Sequence, residues 1–435
     1  MDFSVSVKNK LLEIINQMEE KKECFVKNPG RDFSRERKLG FSKTLPLMLG
    51  MGAQSLKKEI PCMSGFNTGA PSASAFCQQR AKIKLSAFYN IMYSLGNAFP
   101  KKTYRGHQLV ACDGTDICLP LGQQEGRGYV CRRRENQKDY YQMHVNALYD
   151  IINHRYMDIV GQPEKKQNER EAFLEMLEHR DYSPGTIFVM DRGYEGYGIA
   201  GALHFKGMFY VIRAKDGRTG GIVKSFGLPC SGGYDRTFCP FFTSRHNSMV
   251  LSHPETYHRI HRSSSVTFID RNHPYRRMPV RILRIKVHPG KYECIITNLP
   301  ADKFPPEETR KIYKMRWDIE TSFRELKYEV GMSYFHSKKE EYTAQEIITK
   351  VILYNFCCII ASGVTVTQKK RKYKYKTSYV MVFFLCRKFL VMPDSAPGID
   401  IEALLNKELL PVRPGRSCKR KLKAHPAVSF LYRTF

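Results

Sequence analysis

Four polar side chains share one edge of a predicted helix in the last third of the chain. In residues 312–330, IYKMRWDIETSFRELKYEV, the row that falls within about 60° at 100° per residue consists of Tyr313, Arg316, Glu320 and Lys327. A carboxylate can ligate a hard divalent cation, and the cationic side chains can bind phosphate oxygens. The same row is also typical of the solvent-exposed side of an amphipathic helix that carries an ion pair. The other residues of the chain must decide between these readings.

Two aspartates each follow an apolar run with the pattern of a buried strand. Asp113 ends the run 109–112, and Asp191 ends the run 186–190. Such positions place a carboxylate where a buried strand opens to solvent, which suits a metal ligand. A lone Asp after a strand also forms turns and helix caps. Asp116 follows in the same segment and is an alternative to Asp113.

The spacing Tyr-x2-Arg-x3-Glu-x6-Lys over residues 313–327 resembles the signature of bacterial transposases of the insertion-sequence-four family. The segments VACDGTDICLP and VMDRGY are similar to that family's two aspartate motifs. The resemblance implies that Asp113, Asp191 and Glu320 are the catalytic residues and metal ligands of an Asp, Asp, Glu triad. Asp113 is preferred to Asp116 because it stands where the family has Asp-Gly-Thr.

This resemblance implies metal-dependent chemistry on DNA. Three converging carboxylates repel one another, and magnesium or manganese, with two ions about 3.5–4 Å apart, would offset that repulsion and suit in-line phosphoryl displacement. Water would cleave the strand at the end of the element, and the freed 3′ hydroxyl would join target DNA. Tyr313, Arg316 and Lys327 are then expected to bind DNA near the cleaved end.

Two other functions stay open at this point. One is a catalytically inactive DNA-binding derivative of a transposase, which would only occupy the ends of the element. The other is a metal-dependent nuclease that cleaves without joining strands. Intact acids argue against the first, and only a joining assay separates the second.

The charge balance indicates a polyanionic partner. Lys and Arg number 71 against 42 Asp and Glu, which gives a formal charge of +29, spread along the sequence. Together with 25 Tyr and 26 Phe, this composition favours double-stranded DNA over a membrane surface. The resemblance adds the expectation of a homodimer or a higher synaptic complex on the element ends and the target.

Several other classes of protein are disfavoured. The thirteen cysteines include no C-x-x-C pair and predict neither a disulfide framework nor a zinc site, and no phosphate-binding glycine loop is present. Residues 1–20 are charged and predict no signal peptide, so we expect a cytoplasmic, nucleoid-associated bacterial protein. The apolar run 351–366 is short for a membrane span and contains Asn355, which favours a buried helix.

Residues 1–100 have helical spacing and predict an α-helical, DNA-end-binding region. In PSASAFCQQRAKIKLSAFYNIMY, Ser72 or Ser74 can cap a helix whose outer face would carry Arg80 and Lys82. That helix is a candidate for binding DNA, and an ordinary basic surface helix is the alternative.

The remaining sequence predicts an α/β catalytic domain with an insertion. Residues 101–214 read as three strands in a meander, then helix, strand, helix and strand, which is the order of a ribonuclease H-like domain. Residues 215–300 predict a β-rich insertion, residues 301–365 the glutamate helix and a closing helix, and residues 366–435 a basic C-terminal region.

Overall fold

The computed structural model describes residues 2–35, 37–120, 130–131, 140–163, 166–217, 220–261, 266–366, 368, 372–392 and 398–413. Its first part is helical. In the first helix, Asp2 accepts a hydrogen bond from the Ser4 backbone N–H at the N-terminus, and apolar residues three or four apart are buried. The helices here are α1 (Phe3–Glu20), α2 (Phe41–Gly50), α3 (Leu56–Met63), α4 (Ala73–Arg80) and α5 (Leu85–Asn97).

Strands and helices then alternate in the predicted order, with one additional two-residue strand. The segments 109–112 and 187–190 are entirely buried, as expected of strands covered on both faces. The elements are β1 (Leu109–Leu119), β2 (Val130–Cys131), β3 (Tyr140–Asp150), β4 (Arg155–Pro163), α6 (Glu169–Glu178), β5 (Ile187–Met190), α7 (Tyr197–Phe205) and β6 (Phe209–Ala214).

These strands form one mixed sheet. Antiparallel pairs join β1 to β3 and β3 to β4, and parallel pairs join β1 to β5 and β5 to β6. Alternate side chains of β1 and β5 enter two different apolar clusters, because successive residues of a strand face opposite sides. The N-terminal helices cover one face, and α6 and α7 cover the other.

Residues 215–300 contain short helices and further strands. The strands β12, β11 and β7 extend the main sheet beyond β6, whereas β10, β8 and β9 form a separate three-stranded sheet. The division of the chain into separate domains stays a prediction. The elements are α8 (Ile222–Ser225), β7 (Tyr234–Phe238), β8 (Phe241–Thr243), α9 (Ser248–Ser252), β9 (Tyr257–Arg259), β10 (Arg276–Arg277), β11 (Val280–His288) and β12 (Lys291–Thr297).

The predicted glutamate helix is interrupted. It comprises α10 (Pro306–Met315) and α11 (Trp317–Tyr328), which meet at Arg316. Pro306 occupies the first turn of α10 and is followed by two glutamates, a sequence that favours a helix start. Gly331, with φ +89°, follows the end of α11 in the left-handed conformation that glycine tolerates best.

A 24-residue helix, α12 (Glu340–Gly363), lies in the centre of the core. It is long and apolar enough to cross a membrane, but 83% of its most apolar window is buried by the protein, which confirms the predicted buried helix. The remaining described elements are β13 (Lys374–Lys376), α13 (Tyr379–Val391), α14 (Ile401–Lys407) and β14 (Leu410–Val412). The last part of the predicted basic C-terminal region, residues 414–435, lies outside the described residues.

Candidate functional site

The two aspartates emerge next to each other because β1 and β5 are parallel neighbours. The ladder between them ends at the pair Cys112 and Met190, so Asp113 and Asp191 are the first residues beyond it. The expectation that the first strand ends at Asp113 is wrong. β1 continues to Leu119 because β3 pairs with it on its other edge, a long-range contact that the local pattern does not contain.

One guanidinium group joins the first aspartate to the glutamate. Arg316 Nη1 donates to Asp113 Oδ2 at 2.7 Å, and Arg316 Nη2 donates to Glu320 Oε1 at 2.7 Å. Asp191 turns toward its own loop, where its Oδ1 accepts a hydrogen bond from the Gly193 N–H at 2.7 Å. The helix interruption at Arg316 therefore lies at the residue that connects α11 to β1.

All three predicted acids line one open cleft of about 430 Å³. Its wall is formed by the middle of β1, the residue that follows β5 and one face of α11. Ten residues line it: Asp113, Gly114, Thr115, Asp191, Arg316, Glu320, Phe323, Arg324, Lys327 and Tyr328.

The charges in this cleft compete with one another. Burial, with Asp191 and Glu320 nearby, raises the pKa of Asp113 to about 6, although Arg316 opposes the shift. Burial tends to lower the pKa of Arg316, but its hydrogen bond to Glu320 and the charge of Asp113 raise it overall. Arg316 is therefore a permanent cation placed among carboxylates.

The donor set suits a hard cation, but the acids are not yet gathered around one point. Carboxylate oxygens are the ligands that magnesium and manganese prefer. Among the residues that the structure describes, no group of three potential ligands is already spaced to hold a metal ion. Arg316 provides positive charge between Asp113 and Glu320 and occupies one oxygen of each, so a cation bound by both acids would share these carboxylates with the guanidinium.

The predicted DNA-binding residues of this helix have different environments. Tyr313 is only 8% exposed and packs beneath Arg316, 5.9 Å from the guanidinium carbon to the ring centre. Lys327 is half-buried in the cleft wall, where burial lowers its pKa. Contact of either residue with DNA stays a prediction. Trp317, one residue after Arg316, is 50% exposed and shares a helix face with Tyr328.

The expectation that Arg80 lies on an exposed face is also wrong. Arg80 is 2% exposed, and its Nη1 donates to Glu346 Oε1 at 2.9 Å. Helix α4 ends at Arg80, with Phe76 buried one turn earlier on the same side. The partner Glu346 is distant in sequence, so the local pattern could not reveal this ion pair. Ser72, one of the two predicted caps, is the N-cap.

Lys82 lies beyond α4, at the edge of a second cleft of about 580 Å³. Its Nζ donates to Gln79 Oε1 at 3.0 Å and lies 5.1 Å from the ring centre of Phe33. Asp32 is buried and accepts from the Asn28 backbone N–H, which directs its charge inward. The exposed cations of this basic cleft are Arg31, Arg35 and Arg37.

The prediction missed a polar chain behind the first aspartate. His144 is an isolated histidine in the sequence, but in the fold its Nδ1 lies 2.7 Å from Asp116 Oδ1 and its Nε2 lies 3.2 Å from Glu169 Oε1. Burial opposes protonation of His144, but both carboxylates raise its pKa to about 9. The only sequence signal was the segment Asn168–Glu169–Arg170, which resembles a recurrent family segment but suggests no role by itself.

The family model described as transposase DDE domain matches residues 104–356, which is more than half of the chain. No curated protein sequence matches this chain. Among solved structures, the piggyBac transposase in a cryo-EM synaptic complex with hairpin DNA matches with a TM-score of 0.46 and 9% identity, covering 96% of this chain and 87% of that one. On the strength of the family model, this protein belongs to the transposase DDE domain family.

Proposed function

We propose that the protein binds the ends of its own insertion sequence, cleaves them by metal-dependent hydrolysis and joins the 3′ hydroxyl ends to target DNA. The family assignment supports a DNA transposase. The Tyr-Arg-Glu-Lys spacing supports the insertion-sequence-four branch, and the strand order β4-β3-β1-β5-β6 supports a ribonuclease H-like catalytic domain. It would act in the bacterial cytoplasm on double-stranded DNA, as a homodimer or a higher synaptic complex.

The observation that carries this proposal is the shared cleft of Asp113, Asp191 and Glu320. Three acids from distant parts of the sequence line this one cleft, although the mutual repulsion of like charges disfavours such an arrangement. An open cleft also leaves room for a nucleic-acid strand, whereas a buried acid cluster would not.

These three carboxylates would hold magnesium or manganese, with two ions in the proposed site. Bound metal would lower the pKa of water and stabilise charge on the attacking and leaving oxygens. The chain's own contribution is to orient the acids and to supply cations. Arg316 neutralises charge on Asp113 and Glu320 in the metal-free protein. Lys327 and Arg324 line the cleft, where they can contact a phosphate of bound DNA.

Contacts away from the cleft would supply most of the affinity for DNA. We place them at the basic cleft, whose exposed Arg31, Arg35 and Arg37 can contact backbone phosphates. Exposed Trp317 and Tyr328 beside the acids can stack on bases. Arg80 is not among the residues proposed to contact DNA, because it is buried against Glu346.

The test is a joining assay with labelled element ends and a target plasmid, in magnesium, manganese or chelator. Metal-dependent joined products are expected. Cleavage without joining would instead identify a nuclease, and metal-independent binding without cleavage would identify an inactive DNA-binding derivative.

Glu320→Gln tests the triad directly. It removes a proposed metal ligand but no phosphate contact, so we expect cleavage to fall by at least about 10³-fold, from lost charge stabilisation, while end binding stays within about twofold. Glu329→Gln is the matched control, because Glu329 is exposed at the end of the same helix and does not line the cleft. Normal cleavage by the Glu320 variant would exclude the triad.

A further inference from the structure

The first residue of α6 approaches both aspartate motifs at their glycines. Glu169 Oε1 lies 3.0 Å from the position that a Cβ on Gly114 would occupy, and Glu169 Oε2 lies 3.1 Å from the equivalent position on Gly193. Gly114 follows Asp113, and Gly193 lies in the turn after Asp191. A side chain at either glycine would meet Glu169, so the absence of one permits this close approach.

Glu169 reaches these motifs from the opposite side of the sheet to the cleft. Residues 113 and 114 of β1 face opposite sides, because successive residues of a strand alternate. Asp113 faces α11 and bonds to Arg316, whereas Gly114 faces α6. Glu169 therefore lies behind the cleft wall and is not among the residues that line the cleft.

His144 fixes the orientation of the Glu169 carboxylate. The imidazole lies between Asp116 on β1 and Glu169 on α6, at 2.7 Å and 3.2 Å, and its side chain is 9% exposed. A Cβ on Gly114 would collide with its Nε2. The ring thus fills the space behind Gly114 and links β3, β1 and α6.

A second contact holds the other motif to the same turn of helix. Arg170 Nε donates to the Gly193 carbonyl oxygen at 2.8 Å. The start of α6 is itself fixed by Asn168, whose side chain accepts from the Glu171 backbone N–H at 3.3 Å. Adjacent residues of α6 therefore contact the segments that carry Asp113 and Asp191.

We propose that Glu169, oriented by His144, is a positioning residue that sets the separation of Asp113 and Asp191. It acts through the two glycine segments and touches neither DNA nor the reacting atoms. This inference rests on the proposed function, since it assigns Glu169 to the support of that same triad. Residues that orient proposed ligands in this way commonly contribute about 10–100-fold to activity or metal affinity.

The test compares three variants in cleavage and in end binding. Glu169→Ala removes the support, so we expect cleavage to slow about 10–100-fold while affinity for end DNA in chelator stays within about twofold. Glu169→Gln keeps the shape and the oxygen that bonds to His144, so it should recover cleavage to within about threefold of wild type. Glu171→Ala, an exposed residue of the same helix turn, is the control and should match wild type.

A double variant separates support from general loss of stability. If Glu169 and His144 act as one unit, Glu169→Ala with His144→Ala should be no slower than the worse single variant, since coupled residues are not additive. The proposal would be overturned if the rate reductions of the two single variants multiplied in the double variant. It would also be overturned if Glu169→Ala cleaved like wild type, or if Glu169→Gln were as slow as Glu169→Ala.

Hydrogen exchange keeps the two proposals distinguishable. In metal-free protein, Glu169→Ala should speed exchange of the Gly193 backbone N–H, which bonds to Asp191, while Glu171→Ala should not. If the wild-type protein fails to cleave DNA, the proposed function is wrong. Hydrogen exchange at Gly193 would still test whether Glu169 positions the turn that follows Asp191. Unchanged exchange at that turn would then overturn the positioning role.

Discussion

Arg316 is an internal counter-ion at the level of single residues. Its two Nη atoms bind one oxygen each of Asp113 and Glu320, and these carboxylates are otherwise close enough to oppose each other's ionisation. The guanidinium therefore stabilises the metal-free protein with charge that a divalent cation would supply in the loaded one. Arg316 and metal should compete.

Arg316→Ala should reveal this competition. Removing one partner of an ion pair leaves carboxylates uncompensated, and because Asp113 and Glu320 are partly exposed we expect a loss of about 1–3 kcal/mol in metal-free stability. Magnesium should then raise the melting temperature of the variant more than that of wild type. Arg324→Ala, which lines the same cleft, is the control. Equal magnesium shifts in variant and wild type would contradict competition.

Local patterns located the acids but not the environment of the basic residues. Asp113 and Asp191 were identified from apolar runs that the structure shows as buried strand segments. The environments of Arg80 and His144 could not be predicted locally, because their partners, Glu346 and Glu169, are brought to them only by the fold. A cation in a helical pattern carries no local sign of a distant carboxylate.

At the level of elements, the order of strands and helices was predictable and their ends were less so. The pattern of residues 312–330 predicted one helix, whereas the structure divides it at Arg316, the residue whose side chain contacts Asp113 across the fold. Extension of β1 to Leu119 likewise depends on pairing with β3. Elements follow from local periodicity, and their boundaries follow from packing.

A buried polar network joins α3, α4 and α12. His336 lies 3.2 Å from Glu346 on α12 and 3.4 Å from Glu59 on α3, and Glu346 also binds Arg80 on α4. Burial tends to lower the pKa of His336, but the two glutamates raise it above its ordinary value. Protonated His336 therefore stabilises the contact between the N-terminal helices and α12.

The network predicts a pH dependence of stability. Because the folded-state pKa of His336 exceeds the unfolded value near 6.5, its stabilisation is complete below about pH 6.5 and is lost as pH rises through the folded-state pKa. The melting-temperature difference between wild type and His336→Gln should therefore be largest at low pH and shrink as pH rises. His288→Gln, at an exposed histidine, should show no such trend. A difference independent of pH would contradict this role.

The excess of positive charge concerns the whole molecule. A formal charge of +29 attracts any polyanion, so the distinction between the basic cleft and a general surface effect lies in the salt dependence of binding. Each phosphate contact contributes about 0.9 to the slope of log affinity against log salt.

The double variant Arg35→Ala with Arg37→Ala should reduce the magnitude of that slope by up to about 2, because two phosphate contacts would be lost. The slope is measured with end DNA in chelator. Arg271→Ala with Lys291→Ala removes the same charge from exposed positions in another part of the chain and should change it much less. Equal effects of the two double variants would assign the slope to net charge and not to the basic cleft.

The central position of α12 has a consequence for synthesis on the ribosome. Lys350 of α12 binds the Met51 carbonyl, and Gln345 donates to the Ile83 carbonyl, so the N-terminal helices bury their apolar faces against residues made 262–299 positions later. At about 5–20 residues per second, they would wait roughly 13–60 s for this partner. A gene copy truncated before Glu340 should therefore yield a protease-sensitive product, which pulse labelling can measure. A truncated copy of the insertion sequence would then produce no stable protein that competes with the intact protein for the ends of the insertion sequence.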